Sequence, residues 1–242
     1  MVVPAHNEGW RLPDTLGDLF SFLTSQSYKA EVIVVENGSS DDTTRVVERL
    51  MGRFEGLRLL NVKLAGKGRA VKAGVMEAKG DAVFLCDADL STPAAEITRF
   101  LSTLHQGYDV VVGSREGAGA IRYGEPEYRH VMGRAFNRLV QAMAVPDVQD
   151  TQCGFKAFSG PAARQLFRRQ TVMGWAFDVE ILYLARKLGY RIAELPVEWR
   201  FNNDTKVRAV HDTFAMLREI ATVRLNDAMG RYGGLPREPL SS

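Results

Sequence analysis

The chain has 242 residues, of which 45% are hydrophobic and 25% are charged, as in an ordinary globular protein with a sizeable core. Its formal net charge of +2 is too small to indicate nucleic acid as a partner. The two cysteines, Cys86 and Cys153, lie far apart and suggest neither a disulfide framework nor a zinc site.

No apolar run in the sequence approaches the ~20 residues that a membrane-spanning helix needs. The N-terminus also lacks the charged and apolar regions of a signal peptide. The cysteine pattern predicts a protein of the reducing cytosol. If it acts at a membrane, we expect it to act from the surface.

Short apolar runs alternate with helical patterns through the first half of the chain. The predicted strands are residues 1–3, 32–35, 57–62, 82–86 and 110–112. The predicted helices between them are residues 14–23, 42–53, 68–78 and 93–105. This alternation predicts an α/β fold with a mostly parallel sheet and helices on both faces. Ligands of such sheets bind beyond the carboxyl ends of the strands.

Two later stretches have apolar residues at helical spacing. The first covers residues 131–143, with Arg134 and Arg138 on another face. The second has apolar residues at Phe214, Leu217, Ala221 and Leu225. Each stripe either packs on the sheet, which is the commoner case, or lies on a membrane surface.

The strongest local signal is the pair Asp87 and Asp89, which directly follows the predicted strand 82–86. Carboxylates at a strand end can hold a hard divalent cation, and Mg²⁺ prefers a few carboxylates together with substrate phosphate oxygens. The pair therefore predicts a metal-assisted site for a nucleotide diphosphate. The alternative is a solvated turn that caps a helix beginning near Pro93.

Polar residues also follow two other predicted strands. Glu36 and Asn37 are candidates to bond a base or a ribose, and Gly38 permits a tight turn. The aspartates that follow, at positions 41 and 42, are interpreted as helix N-caps. His6, after the first strand, is interpreted as a structural hydrogen-bonding residue.

A glycine-rich loop at residues 65–69 brings Lys67 and Arg69 near a helix start. Cations and flexible backbone at a helix N-terminus suit the neutralisation of a diphosphate. The loop is not a P-loop, because the pattern GxxxxGK[ST] is absent.

In their order and spacing, these motifs resemble those of the family-two glycosyltransferases. The matching motifs are PAHNE at 4–8, ENGSSDDT at 36–43, GKGRA at 66–70, DAD at 87–89, GSR at 113–115, DTQCGFK at 150–156 and WAFDVE at 175–180. The last two resemble the dolichyl-phosphate glucosyltransferase branch, beside the dolichyl-phosphate mannosyltransferases. The resemblance implies a Rossmann-like, A-type glycosyltransferase fold, a UDP-sugar donor, Mg²⁺ or Mn²⁺ as cofactor and polyprenyl phosphate as acceptor.

The resemblance also implies roles for residues of the donor site. The donor-binding residues would be Pro4, Ala5, Glu8, Glu36, Asn37, Gly38, Lys67 and Asp87. Asp89 would be the principal metal ligand, beside Asp87. Ser91 stands where the mannosyl relatives have a glutamine ligand, so either Ser91 or water completes the metal's ligands.

For the acceptor, Arg115 and Arg129 match arginines that hold the lipid phosphate in the family. Arg200 and Lys206 match a later cationic pair. Gly133 stands where relatives have a phosphate-binding serine, so here only backbone is available for that contact. The candidates to bind sugar hydroxyls are Asp150, Gln152 and Asp178. Gln152 is also counted among the acceptor-binding residues.

A phosphate acceptor is already an anion near neutral pH and needs no catalytic base. The expected reaction is a direct displacement with inversion, in which the metal and Lys67 stabilise the leaving UDP. The expected catalytic residues are Asp89, Arg115, Arg129 and Asp178. Three alternatives stay open: transfer to a hydroxyl with Asp178 or Glu180 as base, a sugar nucleotidyltransferase, and a non-catalytic nucleotide-sugar-binding protein.

We expect one catalytic domain over residues 1–232, with a donor half at 1–114, an acceptor half at 115–232 and a flexible tail at 233–242. The first strand has only Val2 and Val3 before Pro4, which suggests that this chain begins inside the natural strand. The expected location is the cytoplasmic face of a membrane, without a spanning segment. An anionic lipid surface or a small membrane protein is the expected partner.

Overall fold

The computed structural model describes residues 1–202 and 209–233, within which nine strands and eight helices form. The strands are Val2–Ala5 (β1), Val32–Glu36 (β2), Leu57–Asn61 (β3), Ala82–Leu85 (β4), Val110–Ser114 (β5), Ile121–Tyr123 (β6), Lys156–Ser159 (β7), Ile192–Pro196 (β8) and Glu198–Arg200 (β9). The helices are Leu12–Thr24 (α1), Thr43–Met51 (α2), Lys67–Glu77 (α3), Glu96–His105 (α4), Glu127–Met143 (α5), Gly160–Arg169 (α6), Phe177–Lys187 (α7) and Ala209–Ala228 (α8). Lys206 and positions 234–242 of the predicted tail lie outside the described residues.

Seven strands form the main sheet in the order β3-β2-β1-β4-β7-β5-β8, and β6 pairs with β9 in a small second sheet. All pairs are parallel except those of β7, which runs antiparallel to both β4 and β5. The predicted α/β fold with a mostly parallel sheet is confirmed. The chain passes from β1 outward to β3 and then returns to the other side of β1 with β4, which makes the β1–β4 boundary a topological switch point.

Both faces of the sheet are covered, which explains the continuous apolar strands. All five residues of β2 are buried, because alternate side chains enter opposite cores. Ile33 and Val35 enter a core that includes residues of α3, α6, α7 and α8. Val32 and Val34 enter a second core that includes residues of α1, α2 and α4.

Several predicted boundaries were wrong. The strand predicted at 1–3 continues through Pro4 to Ala5, and the helix predicted at 93–105 begins only at Glu96. Strands β6 to β9 and helices α6 and α7 were not predicted from the sequence. Strands β6 and β9 have three residues each, and α7 is buried along nearly its whole length, so their sequences carry little local signal.

The two amphipathic stretches lie on α5 and α8, and much of their apolar surface faces solvent. Val131 of α5 is 67% exposed, and Phe214 and Leu225 of α8 are 68% and 58% exposed. Helix α8 packs on the core through other positions, among them Ile220. On α5 the predicted stripe is divided, because Val140 is buried in the core and Phe136 and Met143 pack against it, while Val131 faces solvent. None of the described helices is both long and apolar enough to cross a membrane.

Candidate active site

A cleft opens between β1 and β4, where the order of the parallel strands reverses. The carbonyl of Val2 accepts a hydrogen bond from the amide of Cys86. Along a strand, the backbone N and O atoms of alternate residues point toward the same neighbouring strand. The nitrogen of Pro4, two residues after Val2, therefore also points toward β4. Proline has no N–H to donate, so the β1–β4 ladder stops there. Pro4, Lys67, Asp87 and other residues line a small cavity at this point.

The loops that follow β1, β2 and β3 are tied together at one edge of this cleft. The side chain of Asn37 donates to the carbonyl of Leu64 at 2.7 Å and accepts from the amide of Gly66 at 2.8 Å. The imidazole Nδ1 of His6 lies 2.8 Å from the carbonyl oxygen of Asn37. Asn37, predicted as a donor ligand, thus also fixes the loop that carries Lys67.

The neighbouring predicted donor residues are held in place by local contacts. The carboxylate of Glu36 accepts a hydrogen bond from the amide of Ser39 across the turn at Gly38, where φ is 68°. Glu8 forms an ion pair with Arg11 at 3.2 Å. Glu36 is the last residue of β2 and pairs with Ala5 of β1, while Glu8 lies in the loop that follows β1.

Asp87 and Asp89 follow β4 in a tight turn in which Leu90 has a φ of 46°. The Lys67 ammonium lies 2.6 Å from a carboxylate oxygen of Asp87. Burial acts to raise the pKa of Asp87, but the charge and hydrogen bond of Lys67, together with the charges of Lys156 and Arg115, lower that pKa below its usual value. At Asp89, burial and the nearby charge of Asp87 raise the pKa. The turn therefore holds one carboxylate paired with a cation and one, Asp89, that forms no ion pair with a described residue.

These two carboxylates fit a hard divalent cation. The amide of Ser91 donates to Asp89 at 3.0 Å, which orients the carboxylate. Residues 1–202 and 209–233 contain no group of three or more His, Cys, Asp or Glu side chains suited to a metal ion. Further ligands for a cation at Asp89 would be oxygens of a diphosphate, a hydroxyl or water, which is the set that Mg²⁺ accepts.

The segment that leads into β7 passes directly behind Asp87. A Cβ at Gly154 would stand 1.9 Å from a carboxylate oxygen of Asp87, so any larger residue here would displace that carboxylate. Two residues further on, the ammonium of Lys156 is buried and donates to Asp178 at 2.7 Å and to the carbonyl of Cys153. Burial raises the pKa of Asp178 although Lys156 and Lys67 act against it.

Neither predicted candidate for a catalytic base is available to activate a hydroxyl. Asp178 is 5% exposed and forms an ion pair with Lys156. Glu180 is fully buried and accepts hydrogen bonds from the amides of Thr171 and Val172 and from the hydroxyl of Tyr232. Both carboxylates are bound within the protein itself.

Arg115 is fixed by a buried carboxylate. Its Nε and Nη2 donate to the two oxygens of Asp150 at 2.7 and 2.9 Å, in a bidentate ion pair. Glu194 in turn accepts from the amides of Gln149 and Asp150. Asp150, predicted to bind sugar hydroxyls, is completely buried, so its contacts orient Arg115 and not a sugar.

Three of the predicted acceptor residues belong to one group of arginines stacked on aromatic rings, here called the arginine–aromatic cluster. It comprises Arg115 over Trp199 at 5.2 Å, Arg129 over Phe201 at 5.1 Å and Arg200 over Tyr123 at 5.8 Å. The amide of Arg200 also donates to the carbonyl of Ser91 at 2.9 Å. This bond joins the cluster to the turn that holds Asp89.

The other two acceptor candidates that the structure describes have fewer contacts. Gly133 lies on the exposed surface of α5, with open space where a side chain would stand. The amide nitrogen of Gln152 lies 3.9 Å from the sulfur of Met216 on α8. The sequence analysis missed Lys156, Trp199 and Phe201. For Lys156 a signal was present, because it ends the motif at 150–156.

The Arg115–Asp150 pair predicts a specific dependence of stability on pH. Burial alone would raise the pKa of Asp150, but Arg115 holds that pKa well below its usual range. An unfolded aspartate titrates near pH ~4, so the stabilisation is complete above that pH and is lost as the pH falls toward the folded-state pKa. We expect Asp150→Asn to lower the free energy of unfolding by about 2 kcal/mol at pH 7 and to flatten its decline on acidification.

Urea denaturation of both proteins from about pH 6 to pH 2 would measure this difference. Asp18→Asn, at an exposed position of α1, is the matched control and should decline as the unaltered protein does. Parallel acid profiles for the Asp150→Asn variant and the unaltered protein would contradict the prediction.

The chain is similar in sequence to a known protein family and to several of its members. The sequence profile described as glycosyl transferase family 2 matches residues 1–167. The dolichyl-phosphate beta-glucosyltransferase of Dictyostelium discoideum is 34% identical, and the match covers 95% of this chain and 75% of that protein. The human dolichyl-phosphate beta-glucosyltransferase is 30% identical, with 96% and 76% covered.

Solved structures support the fold assignment. A Mycobacterium tuberculosis glucosyl-3-phosphoglycerate synthase in complex with Mn²⁺, UDP and phosphoglyceric acid is 20% identical and superposes with a TM-score of 0.66 over 96% of this chain and 77% of that one. At that identity the likeness establishes the fold alone. The sequence profile and the relatives establish the family, and the chain belongs to glycosyl transferase family 2.

Proposed function

We propose that this glycosyltransferase moves a hexose from a UDP-sugar to the phosphate of a polyprenol such as dolichyl phosphate, with glucose as the first candidate. The observation that carries the proposal is that the site offers arginines to an acceptor, while neither of the predicted carboxylates is free to act as a base. Both carboxylates suited by sequence to act as a base are bound within the protein, while the arginine–aromatic cluster adjoins the Asp89 turn. The names of the relatives favour the same acceptor.

A hydroxyl acceptor must lose a proton as it attacks, and a nearby carboxylate usually accepts that proton. Asp178 is bound to Lys156, and Glu180 accepts from four hydrogen-bond donors. A phosphate acceptor carries its negative charge already, so it needs positioning cations instead. Arg115 and Arg129 are our proposed residues for that role, with Arg200 beside them.

On the donor side, we assign Asp89, Asp87 and Ser91 to an Mg²⁺ or Mn²⁺ ion, whose charge would stabilise the departing diphosphate. Lys67 stands at the first position of α3, where a helix N-terminus also favours anions. Lys67 would therefore bind the diphosphate as it accumulates charge. Uridine is assigned to the ends of β1 and β2, which carry Pro4, Ala5, Glu8, Glu36, Asn37 and Gly38.

The proposed reaction is a single displacement with inversion at the anomeric carbon. An oxygen of the acceptor phosphate forms the new bond to that carbon as the bond to the β-phosphate oxygen of UDP breaks. Arg115, held rigid by Asp150, orients the attacking phosphate. Fixed charges supply the remaining stabilisation, because they require no reorganisation during the reaction.

We further propose that the reaction takes place at the cytoplasmic surface of a membrane. The acceptor's polyprenyl chain stays in the bilayer, so its phosphate must be met at the interface. Exposed apolar side chains on α5, among them Tyr128, Val131 and Met132, lie close in sequence to Arg129. Phe214 and Leu225 of α8 add a second exposed stripe. A small membrane protein that assists this docking stays a prediction.

The proposal is tested by transfer of labelled sugar to short-chain polyprenyl phosphate in lipid vesicles. Donors would be a panel of UDP-sugars and GDP-mannose, with Mg²⁺, with Mn²⁺ and with chelator, and vesicles with and without anionic lipid. We expect metal-dependent transfer from one UDP-sugar into the organic phase. Transfer to a sugar hydroxyl but not to the lipid would contradict the proposed acceptor.

Arg129→Ala should separate the two substrates. The guanidinium of Arg129 stacks on Phe201 and belongs to the acceptor cluster, so its loss should raise the KM for polyprenyl phosphate by about tenfold or more. The KM for the UDP-sugar should stay unchanged. Arg138→Ala, at an exposed position of the same helix, is the matched control. Equal increases in both KM values would show that Arg129 does not act on the acceptor alone.

A further inference from the structure

The N-terminus of α3, which carries Lys67, is capped by backbone from a distant part of the chain. The amide of Gly68 donates to the carbonyl of Gly174 at 3.1 Å, and the amide of Arg69 donates to the carbonyl of Met173 at 3.1 Å. The first N–H groups of a helix have no partners within the helix. No side chain within the described residues caps α3, so the segment at 173–174 has this function.

The two segments also approach too closely for side chains between them. A Cβ at Gly66 would stand 2.5 Å from the carbonyl oxygen of Met173, and Gly66 has a φ of 140°. Such a φ strongly favours glycine. The position of the loop at 66–68 therefore follows the position of residues 173–174 with little freedom.

The same distant segment contacts the Lys67 side chain. The ammonium of Lys67 lies 5.5 Å from the centre of the Trp175 ring, within the range of a cation–π contact. It also lies 2.6 Å from Asp87. Residues 173–175 thus fix both the backbone and the direction of Lys67.

Helix α8 holds this segment through one carboxylate. Glu219 accepts a hydrogen bond from the amide of Ala176 at 2.9 Å. Its carboxylate also packs directly against Gly174, where an added Cβ would come within 2.0 Å of a Glu219 oxygen. Contacts therefore run without interruption from Glu219 through residues 173–176 to Lys67.

We propose that Glu219 is a positioning residue that, through residues 173–176, holds Lys67 in place for the donor diphosphate. Glu219 itself touches neither Lys67 nor the proposed metal ligands in any described contact. The role in diphosphate binding rests on the proposed function. The mechanical link between Glu219 and the Lys67 loop does not depend on it.

The test compares Glu219→Ala with Glu219→Gln, which keeps an oxygen that can accept the Ala176 amide. Glu48→Ala, a carboxylate removed from an exposed position of α2, is the matched control. The first measurement is amide hydrogen exchange in residues 66–70. We expect exchange at Gly68 and Arg69 to accelerate by about tenfold in Glu219→Ala, the effect of losing one or two hydrogen bonds. Glu219→Gln and Glu48→Ala should exchange like the unaltered protein.

The second measurement is the Kd for UDP with Mn²⁺, which should rise by about tenfold in Glu219→Ala while the KM for polyprenyl phosphate stays constant. Rescue by Glu219→Gln would support positioning over a general loss of stability. Unchanged exchange at residues 66–70 in a folded Glu219→Ala variant would overturn the proposal. If that variant does not fold, Glu219→Asp, which withdraws the carboxylate by one methylene, should show the same loosening of residues 66–70.

The two proposals fail in different ways. Absence of UDP binding in the unaltered protein would overturn the proposed function, while exchange at Gly68 and Arg69 would still decide whether Glu219 fixes the Lys67 loop. UDP binding that is normal in the unaltered protein and equally normal in Glu219→Ala would overturn the positioning role alone.

Discussion

Asp89→Asn should lower kcat by about 10²–10³-fold, because it removes the carboxylate charge assigned to the metal and, with it, stabilisation of the leaving diphosphate. The free energy of unfolding should stay the same or rise slightly. Burial and Asp87 raise the pKa of Asp89, so the folded state disfavours its ionised form, and an uncharged amide removes that cost. The asparagine oxygen can still accept from the amide of Ser91.

Three measurements check this result: the transfer rate with Mn²⁺, the affinity for Mn²⁺ in the presence of UDP, and urea denaturation. Asp18→Asn, the same chemical change at an exposed position of α1, should leave all three unaltered. Near-normal turnover in Asp89→Asn would contradict the assignment of Asp89 as a metal ligand. A large loss of stability would instead indicate that Asp89 supports the fold.

Lys156→Met should lower the free energy of unfolding by about 3–5 kcal/mol, since it leaves the charge of Asp178 buried without its cation. Lys156 is 1% exposed and Asp178 is 5% exposed, so water cannot replace the lost ammonium. The double variant Lys156→Met with Asp178→Asn should regain most of the loss, because neither charge then remains.

Urea denaturation of the single and double variants forms a double-mutant cycle that isolates the interaction between the two residues. Glu48→Ala supplies the effect of removing an exposed charge. If the effects of the two single variants simply add, the interaction free energy between Lys156 and Asp178 is zero and the predicted coupling is wrong. The short distance between Lys156 and Asp178 would then not reflect a stabilising ion pair.

The sequence predicted the first half of the fold well, for a clear reason. Strands such as β2 are short and apolar, and the helices between them have one polar face, so the two periods are easy to distinguish. Helix α7 has no such signal. Every residue from Phe177 to Ala185 is buried, so the helix lacks the polar face on which a 3.6-residue period depends.

Strands β6 and β9 were missed for a different reason. Each has three residues, and Ile121 and Tyr123 of β6 are exposed, so neither length nor burial marks them as strands. They form because they pair with each other across a long separation in sequence. Local patterns carry no information about that pairing.

The candidate site shows the same division. Its acidic strand ends were predictable, because the carboxyl ends of neighbouring parallel strands meet at one edge. The partners within the site were not. Asp150 and Asp178 each stand in a motif that suits a ligand or a base, and only the three-dimensional arrangement pairs them with Arg115 and Lys156.

The placement of β7 between β4 and β5 has a consequence for synthesis of the chain. When the chain has emerged from the ribosome as far as residue 114, β4 and β5 have been synthesised but no hydrogen-bond ladder joins them. The open edges stay unpaired until residues 156–159 emerge. A nascent chain arrested at residue 114 should therefore remain prone to aggregation and unable to complete its sheet. The donor and acceptor halves expected from the sequence would share one folding event.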